Sequence, residues 1–203
     1  MEIRFTAPRF YPIIDTATLA GTAFSPVQVA EEAAAAGAKI LQYRHKNNWT
    51  QYEFDEAKTI AGICKEAGIL FIVNDRADFA HLLGAGLHIG QDDLPPQAAR
   101  HVVSRAVIGF STHNAAQLRG AAGAPVDYLS LGPVFATKSK ARPDPVIGLD
   151  GLRALRPLTS KPLVAIGGIT LENAPDVLAA GADSVAVISG IVGLQRLSEW
   201  CHL

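Results

Sequence analysis

Two cysteines, Cys64 and Cys201, are too few for a disulfide framework and match no metal-ligand spacing, so the chain fits a reducing compartment. Charged residues make up only 18% and the formal net charge is -1, which leaves no electrostatic footprint for nucleic acid or an anionic membrane. Any bound anion must then be held by a local cluster. No apolar run approaches the ~20 residues of a membrane helix, and Met1 to Phe10 lacks the apolar core of a signal segment. A cytoplasmic protein is expected, with small-molecule substrates and neither nucleic acid nor membrane as partner. A homo-oligomer remains compatible with the sequence.

Hydrophobic residues make up 49% of the 203, enough for a sizeable core, and the expectation is a single domain over residues 1–203. Short β-rich runs at 11–15, 39–44, 70–74, 87–90, 107–111, 128–132, 163–167 and 184–189 alternate with Ala-rich helical stretches. Those stretches fall near 26–36, 51–67, 76–84, 95–104, 114–122, 149–156 and 171–180, with a short last one near 191–200. Ser25-Pro26 and Thr50 with Glu53 are helix starts, and Gly37, Gly68 and Gly181 are helix stops. Alternation with short connections predicts parallel strands, and eight units in this length predict an α/β fold, a closed (β/α)8 TIM barrel. An open doubly wound sheet is the competing architecture.

In a barrel the active site is built where the strands end at their C-terminal side. Successive strands here end in Gln42-Tyr43-Arg44-His45-Lys46, Asn74-Asp75-Arg76 and Gly90-Gln91-Asp92-Asp93. Donors, acid and acid are thus delivered to one rim. Carboxylates of this kind suit a hard cation shared with a phosphorylated ligand, which predicts Mg²⁺ on Asp75 and Asp93. Arg44, Lys46 and Lys140, with Gln42 and Asn74 as neutral donors, suit a diphosphate beside it. Strand 5 ends in Ser111-Thr112-His113, and strand 6 opens into a loop containing Thr137-Lys138-Ser139-Lys140. Gly167-Gly168 and Ile188-Ser189 end the last two strands, where small residues and exposed amides form a second anion site.

From Tyr11 to Gly190 these pieces, in order and at these spacings, resemble the thiamine phosphate synthase family. The matching motifs are Gln42-x-Arg44-x-Lys46, Asn74-Asp75-Arg76, Gly90-Gln91-Asp92-Asp93, Gly109-x-Ser111-x-His113, Asp127-Tyr128 with Gly132-Pro133, Thr137-x-Ser139-Lys140, Gly167-Gly168-Ile169 and Ile188-Ser189. The resemblance implies a transferase that joins hydroxymethylpyrimidine diphosphate to hydroxyethylthiazole phosphate, releasing pyrophosphate and forming thiamine monophosphate. It further implies diphosphate contacts at Gln42, Arg44, Lys46, Asn74 and Lys140, and Mg²⁺ ligands at Asp75 and Asp93. Ser111 would meet the pyrimidine or its departing oxygen, and Lys140, Ser111 and Arg44 would act at the reacting centre. Thr137, Ser139, Gly168, Ile188 and Ser189 would hold the thiazole phosphate.

Some features stand apart from that pattern. Tyr43 replaces a more usual aliphatic residue but alternates away from the ligand side, and Ser139 keeps the hydroxyl of a more usual Thr. The chain ends soon after Ser189, which predicts a short eighth helix. Two alternatives follow from the same residues: a thiazole tautomerase-like isomerase with His113 as base, and a non-catalytic barrel that binds thiamine precursors. The presence of Asp93 favours the synthase over the first, and the full set of acids and cations argues against the second. His81 and His101 are expected on helix surfaces, His45 has no partner nameable from sequence, and Trp49 and Trp200 are unassigned.

Overall fold

The apolar runs form eight strands: β1 Phe10–Asp15, β2 Ile40–Arg44, β3 Leu70–Asn74, β4 Gly86–Ile89, β5 Ile108–Thr112, β6 Tyr128–Leu131, β7 Leu163–Ile166 and β8 Ser184–Val187. The structure is a computed structural model that describes residues 5–137, 144–191 and 196–203. Every strand pairs in parallel with the next, and β1 pairs with β8 through Phe10 opposite Val185 and Pro12 opposite Val187. The expected barrel is therefore closed, and each predicted strand end lies within two residues of the observed one.

The helices between strands are α2 Pro26–Ala35, α3 Gln51–Ala67, α4 Ala77–Leu83, α5 Pro96–Val102, α6 Ala115–Ala121, α7 Gly148–Leu155, α8 Ala174–Ala179 and α9 Arg196–Cys201. Capping boxes at Ser25 with Gln28 and at Thr50 with Glu53 start α2 and α3, and Gly68 stops α3 in the left-handed region at φ 67°. One helix was not expected. Thr16–Leu19, here α1, forms because Asp15 accepts from the Thr18 amide and hydroxyl, each at 2.8 Å. Near 171–180 the helix begins only at Ala174, since Thr170 and Asn173 bond each other in a turn first. Among the described residues, no helix is long and apolar enough to cross a membrane.

Alternation decides which side chains enter the barrel. Tyr11, Ile13, Ile40, Ile72, Tyr128, Val164 and Ala186 form an inner cluster, and Phe5 packs on it with its ring 5.2 Å from that of Tyr128. Gly109 makes room for this: a Cβ there would lie 2.0 Å from Tyr128 Cζ. The opposite faces of the strands, with Ile14, Leu41, Val73 and Leu87, pack under the helices, each such side chain contributing roughly 1.5–3 kcal/mol. Tyr43 lies on that outer face and donates to Glu56 of α3 at 2.6 Å, so it points away from the mouth as the alternation requires.

The short last helix still seals the barrel. Trp200 of α9 stacks on Phe10 at 5.1 Å and donates its indole N–H to the Gly190 carbonyl at 3.2 Å, which makes it a packing residue. His81 and His101 are exposed, as expected.

Candidate active site

The strands end around a cavity of about 470 Å³. Its lining includes Gln42, Arg44, Lys46, Asn74, Asp75, Asp93, Ser111, Thr137, Gly168, Ile188 and Ser189, so residues from β2 through β8 that the sequence singled out converge on one space. Ser139 and Lys140 lie outside the described residues.

One wall carries the acids. Asp75 follows β3 with φ 64°, a conformation that Asp tolerates better than most side chains, and its amide donates to the His88 carbonyl at 2.8 Å. This turn directs its carboxylate to Lys46, with which it forms an ion pair. Burial pushes the Asp75 carboxyl up to about 6; Lys46 pulls it down, and the adjacent Asp93 carboxylate pushes it up. Asp93 in turn accepts from the Gly90 amide at 2.7 Å, which holds the loop, whereas Asp92 is exposed.

Arg44 is not an unattached cation. It forms an ion pair with Asp15, which is only 3% exposed and lies at the end of β1. Nothing local in the sequence marks Asp15 as the partner of Arg44, although it ends its strand as the other polar termini do. His45 also has a partner that the sequence did not disclose, the Thr16 hydroxyl at 2.8 Å from Nδ1.

Beside the acids the floor of the cavity is polar and largely buried. Gln42 Nε2 donates to the Tyr11 hydroxyl at 2.9 Å, and the Tyr11 and Tyr128 hydroxyls are 2.8 Å apart. Tyr128 lies 3.0 Å from His88 Nδ1, and His88 Nε2 lies 2.9 Å from the Ser111 hydroxyl. Ser130 donates to the same Ser111 oxygen at 3.3 Å. Burial drives His88 down to about 4, with Lys46 and Arg44 adding to the effect and Asp93 opposing it, so the ring is neutral near pH 7. Burial likewise pushes both tyrosine hydroxyls up, keeping them protonated. Tyr128 belongs to the Asp127-Tyr128 motif without a site role, and Tyr11, His88 and Ser130 carry no functional signal in the sequence. Period two from Gln42 and Ser111 would have placed His88 and Ser130 inside, but nothing local announces a polar role within an apolar strand.

The other wall is backbone. Gly167 and Gly168 both have positive φ, 101° and 63°, and a Cβ on Gly168 would lie 2.5 Å from the Ala136 carbonyl oxygen. The β6 loop therefore demands glycine here for packing, independently of any ligand. The sequence placed a helix N-terminus directly behind this turn; with α8 starting at Ala174, it is instead the turn itself that borders the cavity. Ser189 begins a short 3₁₀ turn, Ser189–Ile191. His113 borders the same space, donating from Nδ1 to the Gly132 carbonyl at 2.7 Å, with an Asp144 carboxylate oxygen 3.6 Å away.

Fold and mouth together define a (β/α)8-barrel protein whose cavity sets paired carboxylates and cations opposite a glycine turn. The family model for thiamine monophosphate synthase matches residues 10–191. A thiamine-phosphate synthase of Koribacter versatilis is 47% identical over 207 residues, covering 97% of this chain and 95% of that protein. One of Chloroflexus aurantiacus is 42% identical over 191 residues, covering 94% and 88%. Among solved structures, a thiamine phosphate pyrophosphorylase from Pyrococcus furiosus superposes with TM-score 0.84 at 34% identity, covering 95% and 93% of the two chains. The chain belongs to the thiamine monophosphate synthase family and is a transferase.

Proposed function

We propose that this chain couples hydroxymethylpyrimidine diphosphate to hydroxyethylthiazole phosphate, giving thiamine monophosphate and pyrophosphate, with Mg²⁺ as cofactor. The observation that carries the reading is the convergence on one cavity of Gln42, Arg44, Lys46, Asn74, Asp75 and Asp93 with Ser111, Thr137, Gly168, Ile188 and Ser189. The first group would hold a diphosphate and the last four a monophosphate, with Ser111 at the pyrimidine between them. Lys140 and Ser139 join these two groups by their place in the family motif.

The donor set suits a hard cation. The Asp93 carboxylate lies close enough to disfavour ionisation of Asp75, and a divalent ion between the two would relieve that repulsion. Among the described residues no group of three or more His, Cys, Asp or Glu forms a self-sufficient metal cage. Two carboxylates with diphosphate oxygens and water are the kind of set Mg²⁺ takes. When bound, Mg²⁺ supplies charge neutralisation on the departing diphosphate. Arg44 and Lys46 would orient that group, and the neutral, buried floor would shelter a cationic pyrimidine until the thiazole nitrogen captures it. Such a dissociative substitution draws on positioning and electrostatics, and no strong base is required.

The Mg²⁺ requirement should be proton-linked. Asp75 titrates near 6, so below that pH a proton competes with the metal, and the Mg²⁺ concentration for half-maximal activity should rise by up to about tenfold per pH unit. Titrating Mg²⁺ at several pH values checks this; a requirement that stays flat through pH 6 would remove Asp75 from the metal site.

The reaction itself is tested by incubating the purified chain with both phosphorylated precursors and Mg²⁺ and following thiamine monophosphate and pyrophosphate. His113→Ala should retain a substantial part of this activity, because coupling needs no base at that position. Isomerisation of a thiazole carboxylate phosphate without coupling, abolished by His113→Ala, would establish the tautomerase instead. Gly168→Val should raise KM for the thiazole phosphate more than for the diphosphate. It should also lower stability by about 1–3 kcal/mol, from the positive φ and the approach of Ala136. An unchanged thiazole KM in a folded variant would place the monophosphate elsewhere.

A further inference from the structure

The floor of the cavity is a single file of hydrogen-bonding groups, and its direction can be worked out from the chemistry of its ends. Gln42 Nε2 is only a donor, so Tyr11 accepts from it and has its own proton to give. Either hydroxyl can donate across the 2.8 Å Tyr11–Tyr128 contact, and the file continued from Gln42 gives the Tyr11 proton to the Tyr128 oxygen. Tyr128, having accepted, donates to His88 Nδ1 at 3.0 Å, and a neutral imidazole that accepts at Nδ1 must carry its proton on Nε2. That proton points to the Ser111 oxygen at 2.9 Å, which also accepts from Ser130. Ser111 has then used its acceptor capacity on the protein, and its own proton is left for the cavity it lines.

We propose that Tyr11, Tyr128 and His88 are positioning residues that relay the orientation of the Gln42 amide across the barrel, hold His88 as the Nε2–H tautomer, and thereby present Ser111 to the substrate as a hydrogen-bond donor. This rests on the reading of Ser111 as a contact to the pyrimidine diphosphate. None of the three need touch the substrate to act. A Gln42 amide turned over would reverse each link, put the His88 proton on Nδ1, and turn Ser111 into an acceptor. The pocket would then read a heteroaromatic ring bearing ring-nitrogen or ester-oxygen acceptors less well. The geometry thus favours a ligand that offers an acceptor at Ser111, which an aminopyrimidine ester does through its ring nitrogens and its bridging oxygen.

Tyr11 gives the sharpest test, because it has no bond to His88 or Ser111 and can affect them only through the file. In ¹⁵N-histidine-labelled protein without ligand, His88 should show a protonated Nε2 and an unprotonated Nδ1. Tyr11→Phe should shift this ring toward mixed tautomers, and Tyr128→Phe should do so more strongly. In kinetics, Tyr11→Phe should lower kcat/KM for the pyrimidine diphosphate about five- to tenfold, the worth of one oriented hydrogen bond. In a Ser111→Ala background the same change should cost less than about twofold, because the relay then has nothing to orient. Circular dichroism and thermal melts identify variants that have lost the fold, and Tyr128→Phe replaces Tyr11→Phe in the cycle should the latter be one. An Nδ1–H tautomer in the wild type, a tautomer indifferent to both tyrosine variants, or additive costs in the double variant would each overturn the relay. The labelled-histidine spectra need no turnover. A wild-type chain that shows the expected tautomer response but does not couple the precursors would sink the proposed reaction and leave the relay standing.

Discussion

Asp93→Asn is expected to lower kcat/KM for coupling by at least about a hundredfold, with the loss greatest at limiting Mg²⁺. Asparagine keeps an oxygen that accepts from the Gly90 amide, so the loop that Asp93 closes at 2.7 Å can retain its shape. What disappears is one of the two negative charges that would face the proposed metal diphosphate. Stability should change by no more than about 0.5 kcal/mol, because Asp93 sits in a partly exposed loop whose Gly90 bond asparagine can keep, and is not part of the core. Removing its charge also lets the Asp75 carboxyl move down from about 6 toward the ordinary range, since Asp93 was one of the groups raising it. Asp92→Asn is the control: Asp92 is exposed, and its replacement should be mild. Steady-state rates at several Mg²⁺ concentrations, with a denaturant melt of each variant, check both statements. Normal turnover by Asp93→Asn would end the two-acid assignment.

Arg44→Ala is expected to act twice. Asp15 is 3% exposed and would keep its bonds to Thr18 while losing its Arg44 ion-pair partner, which should cost on the order of 3 kcal/mol of stability. The lost guanidinium should also raise KM for the pyrimidine diphosphate by about tenfold or more, because forked contacts to phosphate oxygens go with it. The two effects separate in Asp15→Asn/Arg44→Ala. That double variant has no buried unpaired charge, so stability should recover in part while the diphosphate KM stays high. A KM that returns with stability would make Arg44 a structural partner of Asp15 and nothing more at the diphosphate.

The barrel was legible from the sequence because a parallel strand buried on both faces is a short apolar run, and eight of these alternate with capped helices. The rim was legible for a related reason: where such a run stops, the next polar residue has nowhere to go but the mouth, as at Arg44, Asp75 and Asp93. The floor was not. Tyr11, His88, Tyr128 and Ser130 sit inside the runs and read as strand residues, since whether an inward tyrosine packs or bonds depends on what faces it across the barrel. Helix starts were least secure where a turn competes, as at Thr170 with Asn173, and α1 was hidden because its cap, Asp15, reads as a strand end.

By itself the sequence determined the order of elements, the closure they imply, which residues reach the rim and the family, because each of these is carried by local pattern and fixed spacing. Tertiary structure alone decided that Arg44 belongs first to Asp15, that Lys46 and Asp93 oppose each other on Asp75, that Gly168 is demanded by Ala136, and that a file of polar groups crosses the floor from Gln42 to Ser111. The physical reason is that these are pairings between residues 18 to 117 positions apart, across the barrel or at neighbouring strand ends, whose distances are set by closure of the sheet and by no property of either residue alone.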